Sequence, residues 1–282
     1  MKKRILILGA TGLLGKPVAL RLQEDGFQIR ILARDLQKAQ EEFDDTFEIV
    51  EGDVTDTHSL ETAMKDCYSV HISVGGPVDQ ISAENVAALA PSLGVKRISY
   101  ISGATVAEKN RWFPMVAQKL EAEKAIRSCG VPYLIFCPTW PMEQIVRFSR
   151  DGSPFMMGKQ PLPVHFFAET DLARMISAAY QNQEIINRRF YVYGPEAMTM
   201  GEAIQRYCAV FHPEVNKVSV MPIWLAKLMA VFTRNDDMKF AANLLGYFNQ
   251  TPEVGNAAET NALLGAPTTT LDSWMESKNK EK

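Results

Sequence analysis

Three glycines at three-residue intervals, Gly9, Gly12 and Gly15 in GATGLLG, are the first residues whose spacing carries chemistry. A glycine turn lets backbone N–H groups approach an oxyanion, and a helix starting there adds a partial positive charge. That chemistry is phosphate binding. Arg34 offers a planar cation shaped to grip a further phosphate. Ser102 and Lys119 bring a hydroxyl and an ammonium, groups able to hold or protonate an oxygen. His165, in PVHFFAETDLAR, is either a further acid or a packing residue beside Phe166 and Phe167, and His71 lies in an apolar run and reads as core.

The elements that position these groups follow from the apolar spacing. Residues 4–8 read as a short buried strand, 9–12 as a tight turn and 13–25 as a helix. Leu14, Val18 and Leu22 line one face of that helix, Gly26 ends it, and FQIRIL resumes as a strand. In this β-α-β unit Gly9 lets the chain turn, Gly12 admits a pyrophosphate and Gly15 lets helix and strand pack closely. The opening MKKRILIL also suits a secretory leader, but glycines and Lys16 interrupt the apolar run and no small-residue cleavage site follows. The expectation is therefore a cytoplasmic protein.

Strand and helix continue to alternate. A helix begins near Asp35, a strand runs from Phe47 toward Asp53, and HSLETAMKDC is helical. YSVHISVGGP is a strand running into Gly75 and Gly76, and a helix then ends at Gly94. ISYISG is a strand ending near Ser102, WFPMVAQKLEAEKAIRSCG a long helix and VPYLIFCP the sixth strand. DLARMISAAY reads as helix and RRFYVYG as a further strand. This order predicts an α/β fold: a doubly wound, mostly parallel sheet with a smaller, mainly helical C-terminal lobe. The core takes residues 1–140 and 171–194, the lobe 141–170 and 195–276 over the open edge of the site, and a tail, 277–282, frays. Ligands bind beyond the carboxyl ends of such strands, where Gly9, Arg34, Asp53, Gly75 and Ser102 converge. Met142, Phe148, Phe155 and Met156 either line an apolar pocket or pack the lobes together.

Composition narrows the function. Among 282 residues, 30 basic and 33 acidic side chains leave a formal charge of −3 without the basic stripe that nucleic acid requires. No apolar run is long enough for a membrane span. Cys67, Cys129, Cys137 and Cys208 show no C-x-x-C, and the four histidines show no metal-ligand spacing. Free thiols and no metal are expected. With no G-x-S-x-G, a serine hydrolase is set aside.

The G-x-x-G-x-x-G spacing, with Ala10 and Thr11 between the first glycines, resembles the extended and atypical short-chain dehydrogenase/reductases. NVAALAPSLGVKRISYIS (85–102), the Lys119–Glu143 segment with SCGVPYLIFCPTWPME, then DLAR, YGPEAMTMGE and NALLGAPTTTLDSW resemble successive blocks of the NmrA-like branch. The similarity covers essentially the whole chain. Cys137 departs from it, standing where an arginine is usual before the proline. The resemblance implies a Rossmann fold binding NAD(P), with the phosphates along Gly9, Thr11, Gly12, Leu13, Leu14 and Gly15 and the adenosine near Arg34, Asp53 and Val54. Gly75 and Lys119 complete the expected cofactor contacts.

Arg34 stands where an acidic residue would accept the ribose hydroxyls of NAD, so NADP(H) is the expected cofactor, with NAD(H) the alternative. Lys16 could strengthen that positive field. The other reading leaves Arg34 as a surface residue or stacked on adenine without discriminating. The Tyr-x-x-x-Lys dyad is absent: Lys119 occupies the lysine position, but Met115 stands four residues earlier, and none of the eight tyrosines has a lysine four positions later. Lys119 either orients the nicotinamide ribose or donates a proton, or it faces Glu123 as an exposed helix residue. Ser102 either bonds a substrate oxygen or is small where strand meets cofactor. Two functions remain: a reductase of a hydrophobic carbonyl or quinone-type small molecule, or a non-catalytic redox-sensing or assembly protein that binds a regulatory partner. An epimerase or dehydratase, which needs the tyrosine, is weaker. The oligomeric state is open.

Overall fold

The computed structural model describes residues 3–149, 153–215 and 217–280. In chain order the first half holds β1 (Arg4–Leu8), α1 (Gly15–Glu24), β2 (Gln28–Ala33), α2 (Leu36–Glu42), β3 (Glu48–Glu51) and α3 (Thr57–Met64). It continues with β4 (Ser69–Ile72), α4 (Asp79–Leu89), β5 (Arg97–Ile101), α5 (Pro114–Ser128) and β6 (Tyr133–Pro138). Then come β7 (Phe155–Met157), β8 (Val164–Phe166), α6 (Glu169–Gln181), β9 (Arg188–Val192), β10 (Glu196–Met198), α7 (Met200–Phe211) and β11 (Ser219–Met221). Four helices close the chain: α8 (Ile223–Phe232), α9 (Asp236–Phe248), α10 (Ala258–Leu264) and α11 (Leu271–Lys280).

Seven strands form one parallel sheet in the order β3-β2-β1-β4-β5-β6-β9. This is the doubly wound Rossmann arrangement, and its order reverses between β1 and β4, where such sheets open a crevice. The strands read as nearly unbroken apolar runs because helices cover both faces: β1 presents Ile5, Leu6, Ile7 and Leu8, all fully buried. Polar atoms inside the sheet are mostly bonded to one another. Tyr180 OH lies 2.9 Å from Ser69 Oγ and 2.6 Å from Ser99 Oγ, and His71 Nδ1 lies 2.6 Å from Ser99 Oγ. His71 is a core residue, and burial pushes its pKa down to about 3. Its Nε2 has no partner.

The chain divides into two compact units. The first, residues 1–138, 169–192 and 255–266, holds the sheet. The second, residues 139–168, 193–254 and 267–282, holds four short strands, paired β8 with β10 and β7 with β11, among α7, α8, α9 and α11. Its own core gathers Met142, Ile145, Met156, Phe166, Ile204 and Trp274.

Elements run shorter than the apolar pattern suggests where side chains capture the backbone. β3 stops at Glu51 because Asp53 Oδ1 takes the Thr55 N–H at 2.8 Å and the Asp53 N–H meets Ser59 Oγ. Asp35 caps α2 by accepting from the Lys38 N–H. Residues 255–266, expected in the smaller lobe, belong to the sheet unit: Arg174 donates to the carbonyls of Leu264 and Ala266. Where fraying is expected, α11 continues through Ser277 to Lys280, with Lys278 and Lys280 at its negative end. The last two residues of that tail lie outside the described residues. All four cysteines are free thiols.

Candidate functional site

The glycine turn sits where the strand order reverses. Gly9 follows β1 at φ +83, and a Cβ there would lie 2.5 Å from the Ser73 carbonyl oxygen just past β4. A Cβ on Gly15 would run into the Gly9 carbonyl, so the start of α1 lies directly against the turn. The helix begins at Gly15 rather than at Leu13: Leu13 and Leu14 lie in the turn, although the Lys16 N–H already makes a helix-type bond to the Gly12 carbonyl at 3.1 Å. Leu14 places no side-chain cap on α1. The Lys16 N–H is spent on Gly12 and Pro17 has none, so an outside acceptor would be met by the amides of Leu13, Leu14 and Gly15, as a phosphate cradle requires. Gly12 is exposed, Thr11 half-buried and Gly75 open to solvent, with space around the position of any added Cβ.

Arg34 is the first residue after β2 and is exposed. Its field is among the influences that hold Asp53 below the usual carboxylate range, though the hydrogen bonds from the Thr55 backbone and hydroxyl contribute more. Asp53 thereby has its carboxylate engaged in its own turn, and Val54 is held by Asn85, whose amide donates to the Val54 carbonyl at 3.0 Å. Lys16 adds less to the local positive field than the sequence suggests, because Glu42 pairs with it at 3.2 Å.

Lys119 does not face Glu123. Its ammonium, on α5, donates to Asp79 Oδ2 at 2.7 Å, to the Ile101 carbonyl at 3.0 Å and to Tyr100 OH at 3.3 Å. The Tyr100 hydroxyl in turn donates to Asp79 Oδ1 at 2.8 Å. An ammonium has three hydrogens, and all three are taken. A tyrosine does therefore stand beside this lysine, recruited from β5 instead of from the helix. It is fully buried, and burial first, then the Asp79 carboxylate, hold its phenol well above the ordinary pKa. Tyr100 is locked as a donor to Asp79.

Ser102, just beyond β5, donates to Glu123 Oε1 at 2.5 Å and is buried. Glu123 is also paired with Arg127 at 2.9 Å and Arg189 at 3.2 Å. Arg189 donates further to Tyr191 and to the Val106 carbonyl. Cys137 adjoins this cluster, and burial pushes its thiol up to about 12. The sequence reading missed Asp79 and Arg189 as partners and set Glu123 against Lys119 instead of Ser102. Asp79 carried one weak signal, an acid directly after GGPV at a helix start.

In the second unit, His165 Nδ1 lies 2.7 Å from Glu253 Oε2, the His165 backbone N–H donates to Glu253 Oε1, and the His165 ring stacks on Tyr193. A separate cavity of about 550 Å³ is lined by Trp140, Arg147, Phe148, Phe155, Phe240 and Leu244, among others. Phe148 and Phe155 thus line a pocket, while Met142 and Met156 are buried in the unit's core. Among the described residues, no group of three or more His, Cys, Asp or Glu side chains could hold a metal ion, and no helix is long and apolar enough to cross a membrane.

A parallel sheet with a glycine cradle at its switch point defines a dinucleotide-binding α/β protein of the Rossmann class. The chain belongs to the NmrA-like family, matching it over residues 1–276. It is 29% identical over 201 residues to the (4-alkanoyl-5-oxo-2,5-dihydrofuran-3-yl)methyl phosphate reductase of Streptomyces griseus subsp. griseus, covering 70% of each chain. It is 25% identical over 239 residues to the photosystem II assembly factor Ycf39 of Trieres chinensis, covering 80% of this chain and 74% of that one. Among solved structures it resembles the NADPH-dependent quinone oxidoreductase QOR2 from Escherichia coli complexed with NADPH, with a TM-score of 0.78 at 20% identity over 98% of this chain and 99% of that one.

Proposed function

We propose that this protein is an NADP(H)-binding reductase of hydrophobic quinone- or carbonyl-type acceptors that works without the Tyr-x-x-x-Lys dyad. Bound NADPH supplies a hydride. The cradle from Gly9 to Gly15 offers its amide groups to the pyrophosphate, and Arg34 meets the 2′-phosphate that distinguishes NADPH from NADH. Asp53 and Val54 shape the adenosine side, and Gly75 leaves room beside β4.

The observation that carries this reading is the saturation of Lys119. With its three hydrogens on Asp79, Tyr100 and Ile101, it has none to give to an alkoxide. We therefore read Lys119 as a clamp joining α4, α5 and β5 and Ser102 as held by Glu123, both positioning the site rather than supplying its proton. A site with no poised acid suits acceptors that delocalise the incoming charge and take their proton from water, as quinones do, better than simple ketones. The similarity to reductases supports this choice.

A second reading, cofactor binding without turnover in a regulatory or assembly role, also follows from the missing acid and is supported by the similarity to an assembly factor. Mixing the protein with NADPH and a panel of quinones and aromatic carbonyls separates the two. Loss of reduced-nicotinamide absorbance with quinones, unchanged in Met115→Ala, is the expected result. Tight NADPH binding with no oxidation across the panel would reject the reductase and leave the regulator.

A further inference from the structure

Helix α8 is packed inside out. Its buried residues are the small Ala226 and Ala230, while Trp224, Leu228, Val231 and Phe232 are 66%, 45%, 66% and 80% exposed. These four positions are spaced i, i+4, i+7 and i+8, so they form one stripe, and a surface helix ordinarily turns such a stripe inward. Together they leave on the order of 500 Å² of apolar side chain in water, near the upper end of what an isolated monomer carries.

We propose that this stripe is a self-association surface, with α8 of one copy crossing α8 of a second about a twofold axis near Leu228. Area favours a second copy. A specific interface buries about 800 Å² per partner, which the stripe and its polar rim can supply. Shape favours it too, because an antiparallel crossing brings Phe232 of each copy to Trp224 of the other, and a twofold contact must be complementary to itself. Lys227 on α8 and Arg234, Asp236, Asp237 and Lys239 just after it are all exposed and carry both signs, so a second copy can offer each an opposite charge, and the main competitor, a lipid surface, is an arm of the test.

Sedimentation equilibrium on the full chain from 1 to about 100 μM tests the proposal over the range where such interfaces associate. The expected result is a dimer that Phe232→Asp and Trp224→Asp each weaken about 100-fold, with thermal melting at low concentration unchanged because both side chains are exposed. A wild-type chain that stays monomeric throughout would overturn it, as would a dimer that survives both substitutions. Flotation with phosphatidylcholine–phosphatidylglycerol vesicles is the second arm. Vesicle binding by a monomeric wild type, lost in Phe232→Asp, would assign the face to lipid instead.

Discussion

The Lys119 ammonium and the Asp79 carboxylate meet at 2.7 Å with side chains only 13% and 3% exposed. They tie the middle of α5 to the first residue of α4. Removing either partner strands a buried charge. Lys119→Met should cost about 3 kcal/mol in urea denaturation, and adding Asp79→Asn should cost less than the sum of the two single changes. Strict additivity would show that the pair is not coupled.

Arg34 should set cofactor choice. Calorimetry should find NADPH bound more tightly than NADH, and Arg34→Ala should weaken NADPH by roughly tenfold or more, the scale of one charge-assisted bidentate contact, while leaving NADH nearly unchanged. Equal wild-type affinities would remove Arg34 from that role.

The cradle should tolerate no side chain at Gly15. Gly15→Ala drives a methyl into the Gly9 carbonyl. Thermal melting should show a loss of about 2 kcal/mol or more, and calorimetry a loss of dinucleotide affinity. Gly26→Ala makes the control: unlike Gly15 it has a positive φ, but it meets nothing within 4 Å, so it should cost roughly 1 kcal/mol and leave binding intact.

His71 should make the fold acid-sensitive well above the carboxylate range. Its folded pKa lies near 3, below the ordinary 6.5, so the unfolded chain binds the proton more readily. Its contribution is complete above pH 6.5 and is lost as the pH falls toward 3. Each unit of pH in that window costs roughly 1.4 kcal/mol from this group. Denaturation at pH 6.5 and 5.0 should differ by about 2 kcal/mol more in wild type than in His71→Gln.

The sheet and its cradle were legible because both rest on local pattern. Apolar runs of strand length, the helix-ending glycines Gly26, Gly94 and Gly130, and GATGLLG after the first strand each imply their neighbours. The partners of Lys119 and Ser102 were not legible. Helical spacing put Glu123 beside Lys119, but Glu123 turns to Ser102, Arg127 and Arg189, and Lys119 turns to Asp79, 40 residues earlier in the chain. Spacing along one helix cannot say which of two acids a lysine chooses when β5 and α4 compete for it. Tyr100 escaped for the same reason. A search for tyrosine four residues before lysine cannot find one delivered by the neighbouring strand.

The seventh strand has a consequence for biosynthesis. Six strands are complete once Pro138 has been made, but β9, which pairs with β6, begins fifty residues later at Arg188. Until the ribosome has delivered it, β6 presents an unpaired apolar margin, the kind of template on which nascent chains stick to one another. Chaperone demand should therefore peak in that interval, and a truncation ending near Pro138 should accumulate in inclusion bodies.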